Sequence, residues 1–415
     1  MSLHAVLADF ADYLHSPAFA QLAPHPHHPA AFSRRRILTP PVLVALMLTS
    51  MSKSVQTELD TFFAHLHQQA HLLRAVSAQA FAQARAKFAL TALPAACDWL
   101  IQRVQLDGGV PRWQGLRLVI ADASTVCFGL RASAVRNAAA ATQILFGLFL
   151  PGAELMLAAS LHGTRVSERQ MLFEHLDRLG PDDLLLLDRG YPCVWLVAVL
   201  ISRNISFCMR VDNTGFACVR DFLRSGEPER IVTLAAPSRQ QALDYECPCQ
   251  PQRVRLIRNC TPNGCVRVLM TNLFDTVRFP ASAFSDLYYR RWRIEEAFKR
   301  LKHRLQLEHV TGLSQQAVVH DVHAKILADN LQALAVSAAC DNAQLAPDLR
   351  INRAYTHSVL KPLIPGLLLM HRAFLHLLPA ALALIAKETA TYRPLLSKPR
   401  RKRDKPHLHL TQKAC

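Results

Sequence analysis

Apolar positions along this chain fall into three textures, each predicting a different kind of element. Up to about residue 106 they recur at helical spacing: Val42–Met51 is apolar, and the stretches Glu58–His67 and Ala75–Leu100 follow the helical period. Thr39-Pro40-Pro41 predicts a cap with proline in the first turn. Asp107-Gly108-Gly109 is a turn signal, and the texture changes there. Leu116–Ala121 reads as a strand that Asp122 ends, and Glu154–Ser160 is another short apolar run. A helix is predicted from Ser167, as N-cap, to Leu179. Leu184–Leu187 is apolar on both strand faces, as a central parallel strand covered by helices requires, and it ends in Asp188-Arg189-Gly190-Tyr191. A helix Cys193–Ser202 and a strand Ile205–Val211 come next. Strands alternating with helices place this stretch in the α/β class.

From Asp212 to Pro280 the pattern shifts to short alternating strands, such as Val254–Arg258 and Val266–Leu273, with proline and glycine turns and little helical signal. Ala281–Leu307 reads as one long basic helix, and the chain is helical again to about residue 390. The expected organisation is a helical N-terminal region over 1–106, an α/β core over 107–211 and 281–340 split by a β-rich insertion over 212–280, a helical region over 341–397 and a basic tail over 398–415.

Composition narrows the partners. Lys and Arg number 48 against 31 Asp and Glu, a net charge of +17, which favours nucleic acid or an anionic membrane surface. The first residues, with Asp9 and Asp12, lack a signal pattern, and the apolar stretch Pro362–Ile385 is interrupted by Pro365, His371, Arg372, His376 and Pro379. No membrane association and a cytoplasmic location are therefore expected. The 11 cysteines suit a reducing compartment. Cys247, Cys249, Cys260 and Cys265 lack the Cys-x2-Cys spacing of a zinc knuckle and read as ordinary strand and turn residues. The triplet Arg34–Arg36 is a candidate DNA contact.

Asp122 and Asp188 each sit at the carboxyl end of an apolar strand, the edge where α/β active sites collect. Asp183 precedes its strand and so sits at the wrong end. On a continuous helix Tyr288, Arg291, Glu295 and Lys302 fall within an arc of roughly 60°, beside a buried stripe of Leu287, Ile294, Phe298, Leu301 and Leu305. From Tyr288 to Arg304, Arg290, Arg291, Arg293, Lys299, Arg300, Lys302 and Arg304 face only Glu295 and Glu296. That excess repels itself unless phosphates supply the missing charge. Asp122, Asp188 and Glu295 brought together would resist ionising, and two divalent cations, Mg²⁺ or Mn²⁺, would relieve them. The chemistry this predicts is metal-dependent phosphoryl transfer on a nucleic acid backbone.

These residues carry a resemblance. Tyr288, Arg291, Glu295 and Lys302 match without a gap the Tyr-x2-Arg-x3-Glu-x6-Lys signature of the DDE transposases of bacterial insertion sequences, fourth insertion-sequence family. Asp188-Arg189-Gly190-Tyr191 is similar to the family's second-aspartate motif, Asp122-Ala123-Ser124-Thr125 resembles its first, and Met270-Thr271-Asn272-Leu273 matches the strand leading toward the helix. The resemblance covers roughly residues 30 to 335. It implies a ribonuclease-H-like catalytic domain with a β-rich insertion between Asp188 and Glu295. It also implies Asp122, Asp188 and Glu295 as catalytic metal ligands, and Tyr288, Arg291 and Lys302 as contacts to the cleaved transposon end. Arg189 and Lys299 are further candidates for DNA contact. The implied activity is cut-and-paste transposition, often through a hairpin at the transposon end. A homodimer would hold two double-stranded inverted-repeat ends and the target DNA. A DNA-binding relic of the same fold, or a metal nuclease without strand transfer, are the alternatives, and the intact carboxylate set speaks against the relic.

Overall fold

Val119, Ile120 and Ala121 have no exposed surface, and the strand that carries them, Leu116–Cys127, anchors a mixed sheet. The computed structural model describes residues 2–34, 36–129, 137–260, 265–346 and 348–391. The basic run Lys398–Arg403, and Arg35 of the arginine triplet, lie outside the described residues. The chain divides into two compact units, one of Met1–Gly109, Val126–Gln143 and Lys299–Cys415, the other of Val110–Thr125 and Ile144–Phe298.

The second unit holds the sheet. Its strands are β1 (Arg112–Trp113), β2 (Leu116–Cys127), β3 (Thr142–Leu150), β4 (Leu155–His162), β5 (Asp183–Leu187), β6 (Ser206–Val211), β7 (Glu229–Leu234), β8 (Gln252–Cys260) and β9 (Val266–Thr271). They lie in the order β4-β3-β2-β5-β6-β9-β8-β7, with β1 on β2. β2 and β5 pair parallel, as do β5 and β6, whereas β3 and β4 pair antiparallel. This is the α/β arrangement that the alternation of elements predicts, with the mixed sheet expected of the ribonuclease-H-like domain that the resemblance implies. Leu184–Leu187 are wholly buried, as a strand covered on both faces must be. The helix Val194–Ser202 supplies part of that cover, with Trp195–Leu200 buried along it. β3 has no counterpart in the sequence reading, because Phe146–Leu150 is apolar without an alternating or helical period.

The stretch 212–280 joins this same sheet: β9 pairs antiparallel with β6, β8 with β9, and β7 with β8. It also holds two helices, Ala217–Ser225 and Arg239–Asp244, that the sequence pattern hides. The first buries Val219 and Phe222 on one face, a stripe only two residues long, and the second buries nothing.

The predicted long helix Ala281–Leu307 is interrupted. Helix Phe284–Tyr289 ends at a tight turn, where Arg290 N–H donates to Leu287 O and Arg291 N–H to Tyr288 O, both at 3.1 Å, and a second helix runs Trp292–His303. Arg291 is thereby buried while its neighbours Arg290 and Trp292 stay exposed. Within this unit the second helix is fixed to β3 through Phe298. A Cβ added at Gly147 would lie 2.8 Å from Met156 Sδ and 3.3 Å from the Phe298 ring, so glycine lets both side chains pack close to β3. Arg293 also pairs with Glu154 between β3 and β4 at 2.6 Å.

The other unit is helical, as expected of its sequence. Its helices include Leu3–His15, Pro40–Leu48, Val55–Leu66, Ala92–Leu106 and the 28-residue Gln315–Asn342, which Ser314 caps by accepting from Ala317 N–H. Thr39 occupies the cap position before Pro40–Leu48 without a side-chain bond. Buried Arg85 pairs with Asp321 at 3.1 Å. The stretch Pro362–Ile385 breaks into Ile364–Leu369, His371–Phe374 and Leu378–Lys387. No helix among the described residues is long and apolar enough to cross a membrane.

Candidate active site

The parallel ladder between β2 and β5 sets the site. Its last registered pair is Ile120 with Leu186, and Asp122 and Asp188 hold equivalent positions beyond that pair. The two strands therefore deliver the two carboxylates side by side at the sheet's carboxyl edge. Asp122 does not end its strand, as the sequence suggests: β2 runs on to Cys127 after losing β5 as a neighbour. Asp122 Oδ1 accepts from Ala123 N–H at 2.9 Å, and Asp188 Oδ1 from Gly190 N–H at 2.7 Å. Asp183 stands at the other end of β5, buried and paired with Arg117 at 2.5 Å.

Glu295 reaches this edge through an arginine. Arg291 Nη2 donates to Glu295 Oε1 at 3.0 Å, while Arg291 Nη1 lies 3.6 Å from Asp122 Oδ2. The guanidinium lies over the rings of Tyr288 and Trp292, 5.9 and 5.5 Å from their centroids. Its Nε is buried without a hydrogen-bond partner. Tyr288 is itself buried, which raises its hydroxyl well above the usual tyrosine range. Because the helix breaks at Arg290, the single polar row drawn from sequence does not extend back to Tyr288; what holds is the one-turn relation of Arg291 to Glu295.

A fourth carboxylate stands beside the aspartates. Glu168 is the first residue of the helix Glu168–Phe173, where Ser167 caps by accepting from Gln170 N–H at 3.3 Å. The predicted helix is shorter than its pattern: it ends at Phe173, and a single 3-10 turn follows at Leu176–Arg178. Burial pushes Asp122 up to about 7, against the Ala123 N–H and Arg291, and the charges of Asp188 and Glu168 add to the rise. Burial and then the Asp188 charge raise Glu168 too, with the Tyr191 hydroxyl opposing. Burial, followed by the charges of Glu168, Asp122 and Asp188, lifts the Tyr191 hydroxyl well above its ordinary value. Glu168 and Tyr191 are absent from the sequence reading of the site. Tyr191 could have been found there as the last residue of the Asp-Arg-Gly-Tyr run, whereas a glutamate one position after an N-cap serine reads only as a favourable helix start.

Of the other candidates, Arg189 is exposed and lies 3.7 Å from Asp212. Lys299 and Lys302 continue the helix Trp292–His303 in the stretch assigned to the other unit; Lys299 is exposed and Lys302 half-buried.

The donor chemistry fits a divalent cation. Asp122, Asp188, Glu168 and Glu295 are all hard oxygen donors; the charges of Asp188 and Glu168 oppose the ionisation of Asp122, and that of Asp188 opposes the ionisation of Glu168. Gly190 leaves open the space between two of them: a Cβ there would lie 3.1 Å from Asp188 Oδ1 and 3.6 Å from Glu168 Oε2. Among the described residues no three His, Cys, Asp or Glu side chains already converge as a metal-binding group, and Arg291 is the positive charge between Asp122 and Glu295.

Comparison with known proteins places the chain. The family described as Transposase DDE domain matches residues 113–331, more than half of its length. The transposase InsG for insertion sequence element IS4 of Escherichia coli strain K12 is 25% identical over 179 residues, which span 43% of this chain and 40% of that protein. The piggyBac transposase, solved as a synaptic complex with hairpin DNA, superposes with a TM-score of 0.42 at 8% identity over 92% of this chain and 82% of its own, too loosely to argue from.

Proposed function

Since this chain belongs to the DDE transposase family, we propose that it is the transposase of an insertion sequence, cutting DNA at the element's ends and joining those ends to a target. The observation that carries the reading is the shared edge of β2 and β5, where Asp122 and Asp188 lie side by side and Arg291 ties Asp122 to Glu295. Asp122, Asp188 and Glu295 are the proposed ligands of two Mg²⁺ or Mn²⁺ ions. When bound, such ions activate a water or a 3′-hydroxyl and stabilise the leaving oxygen of a phosphodiester.

The chain's own part is to gather and orient. The sheet edge fixes the two aspartates, and docking of Phe298 at Gly147 fixes the height of Glu295. Arg291 is the proposed phosphate ligand, its planar guanidinium fork being a bidentate match for the DNA backbone; Asp122 and Glu295, which it pairs with in this structure, would hold the cation. Tyr288, Lys302, Arg189 and Lys299 are proposed to extend that contact along the transposon end, and a homodimer to hold two ends together. The net charge of +17 supplies non-specific affinity for duplex DNA.

The test is a duplex carrying the inverted repeats that flank the coding region. Asp188→Asn should abolish nicking in Mg²⁺ while leaving end binding within about threefold. Wild-type nicking by that variant would refute the assignment.

A further inference from the structure

Three charged side chains recur every four residues on the helix Gln315–Asn342. Asp321, Lys325 and Asp329 fall within an arc of roughly 80°, alternate in sign, and are all buried. An apolar face would serve stability there as well, because buried charges are costly to desolvate and apolar replacements are often neutral or stabilising. What the three share is a grip on one stretch of chain, the end of the helix Trp292–His303 and the turn after it. Asp329 Oδ2 accepts from Arg300 Nη2 at 3.3 Å. Lys325 Nζ donates to Gln306 O at 2.8 Å and also to His309 O. Asp321 Oδ2 accepts from Thr311 N–H at 2.6 Å and from the Thr311 hydroxyl at 2.9 Å. All of these residues belong to the helical unit.

The turn they grip is one that its own residues favour little. Gln306 has a φ of 49°, in the left-handed region that a residue with a Cβ seldom adopts. It closes the helix: Leu307 N–H reaches back to Leu301 O at 2.9 Å, the bond of a helix end that glycine usually makes possible. The Lys325 ammonium meets the carbonyl of that same Gln306, so a charge-assisted bond holds the turn. Lys302 is bracketed by these contacts, with Arg300 held two residues before it and Gln306 four residues after it. Buried as they are, Asp321, Lys325 and Asp329 cannot meet DNA themselves.

We propose that Asp321, Lys325 and Asp329 are positioning residues that fix the pose in which Lys302 meets the transposon end, Lys325 foremost among them. This deepens the proposed function and rests on its assignment of Lys302 as a DNA contact.

The experiment is a double-mutant cycle on the full-length protein. Wild type, Lys302→Ala, Lys325→Met and the double variant are compared for binding to a duplex carrying the inverted repeat and to a random duplex, with circular dichroism melts alongside. Lys325→Met should weaken end binding by about tenfold, and the double variant should bind ends no more weakly than Lys302→Ala alone, as residues of one network do. Binding of Lys325→Met to the random duplex should stay within about twofold of wild type, because net charge carries it. Lys325→Arg, which keeps donors for the two carbonyls, should recover part of the loss. A lysine that only stabilises the fold would lower the melt and leave end binding by the folded protein unchanged. The proposal is overturned if folded Lys325→Met binds ends as wild type does, or if it weakens binding by the same factor with and without Lys302. If Lys302→Ala itself binds ends as wild type does, the failure lies in the proposed DNA contact, and positioning through Lys302 is overturned with it. Should Lys325→Met not fold, Asp329→Asn, which loosens Arg300, carries the same cycle with the same overturning results.

Discussion

Arg291 and Glu295 are joined at 3.0 Å, and the same guanidinium lies 3.6 Å from Asp122, so one arginine stands between the two carboxylates that a cation would have to bridge. A basic side chain in that place competes with the cation. Removing it should therefore tighten binding of divalent ions in the absence of DNA. Unit charges 4 Å apart interact by about 4 kcal/mol at an effective dielectric of 20, so Arg291→Met should raise Mn²⁺ affinity tenfold or more. The same variant should bind transposon ends more weakly, because the phosphate ligand is gone. Mn²⁺ affinity that falls or stays level in Arg291→Met would mean that the arginine organises the carboxylates rather than occupying the cation's place.

Asp122, Asp188 and Glu295 should behave as a unit. Each single Ala or Asn replacement should reduce cleavage to background, and double replacements should be no worse, since groups that act together are not additive. Single-turnover cleavage of end DNA is the measurement. A double variant markedly slower than either single would show that the residues act separately.

Much of this site could be read from sequence because strand ends and one-turn helix spacing are local properties. Leu184–Leu187 announces a buried strand, so Asp188 must follow it at the sheet edge. Arg291 and Glu295 lie one helical turn apart and meet despite the break just before them. The break itself was not legible, because nothing in Tyr289-Arg290-Arg291-Trp292 disfavours a helix; the turn leaves Arg291 buried against Asp122, which is a tertiary contact. Glu168 was hidden for the same kind of reason. Its neighbours Asp188 and Tyr191 come from another strand end, and helix-start chemistry explains a glutamate after Ser167 without them. The strands of 212–280 were visible as alternating runs, but that β9 continues the sheet beside β6 depends on pairing across distant residues.

The acidity of Asp122 gives a pH signature. Burial holds its folded pKa up to about 7, above the ordinary value of 3.8. A raised folded pKa favours folding while the group is protonated, so this contribution is full below about pH 4 and is lost as pH rises through about 7. The loss is at most on the order of 4 kcal/mol. Urea melts of the metal-free protein at pH 5 and pH 8 should show wild type losing stability relative to Asp122→Asn as the pH rises. Added Mn²⁺, which pairs with the ionised carboxylate, should shrink the difference. A difference between the two proteins that is constant with pH would place Asp122 in water rather than in the buried cluster.

Asp183 separates structure from chemistry most cleanly, because it shares a strand with the proposed ligand Asp188 and sits at the opposite end. It is almost wholly buried, pairs with Arg117 at 2.5 Å, and accepts from Gly180 N–H at 2.9 Å. Breaking a buried pair by removing one partner leaves an uncompensated charge and typically costs about 3–5 kcal/mol. Asp183→Asn keeps the shape and leaves the Arg117 guanidinium, itself only slightly exposed, without its partner. The expected result is a melting temperature lowered by several degrees, with Mn²⁺ affinity and cleavage per folded molecule both unchanged. Asp188→Asn should give the reverse: a melt near wild type, or higher where like charge is relieved, with no cleavage. If Asp183→Asn instead abolished cleavage in a fully folded protein, the sheet's other edge would have to take part in the chemistry, and the placement of the active site past the Ile120–Leu186 pair would be wrong.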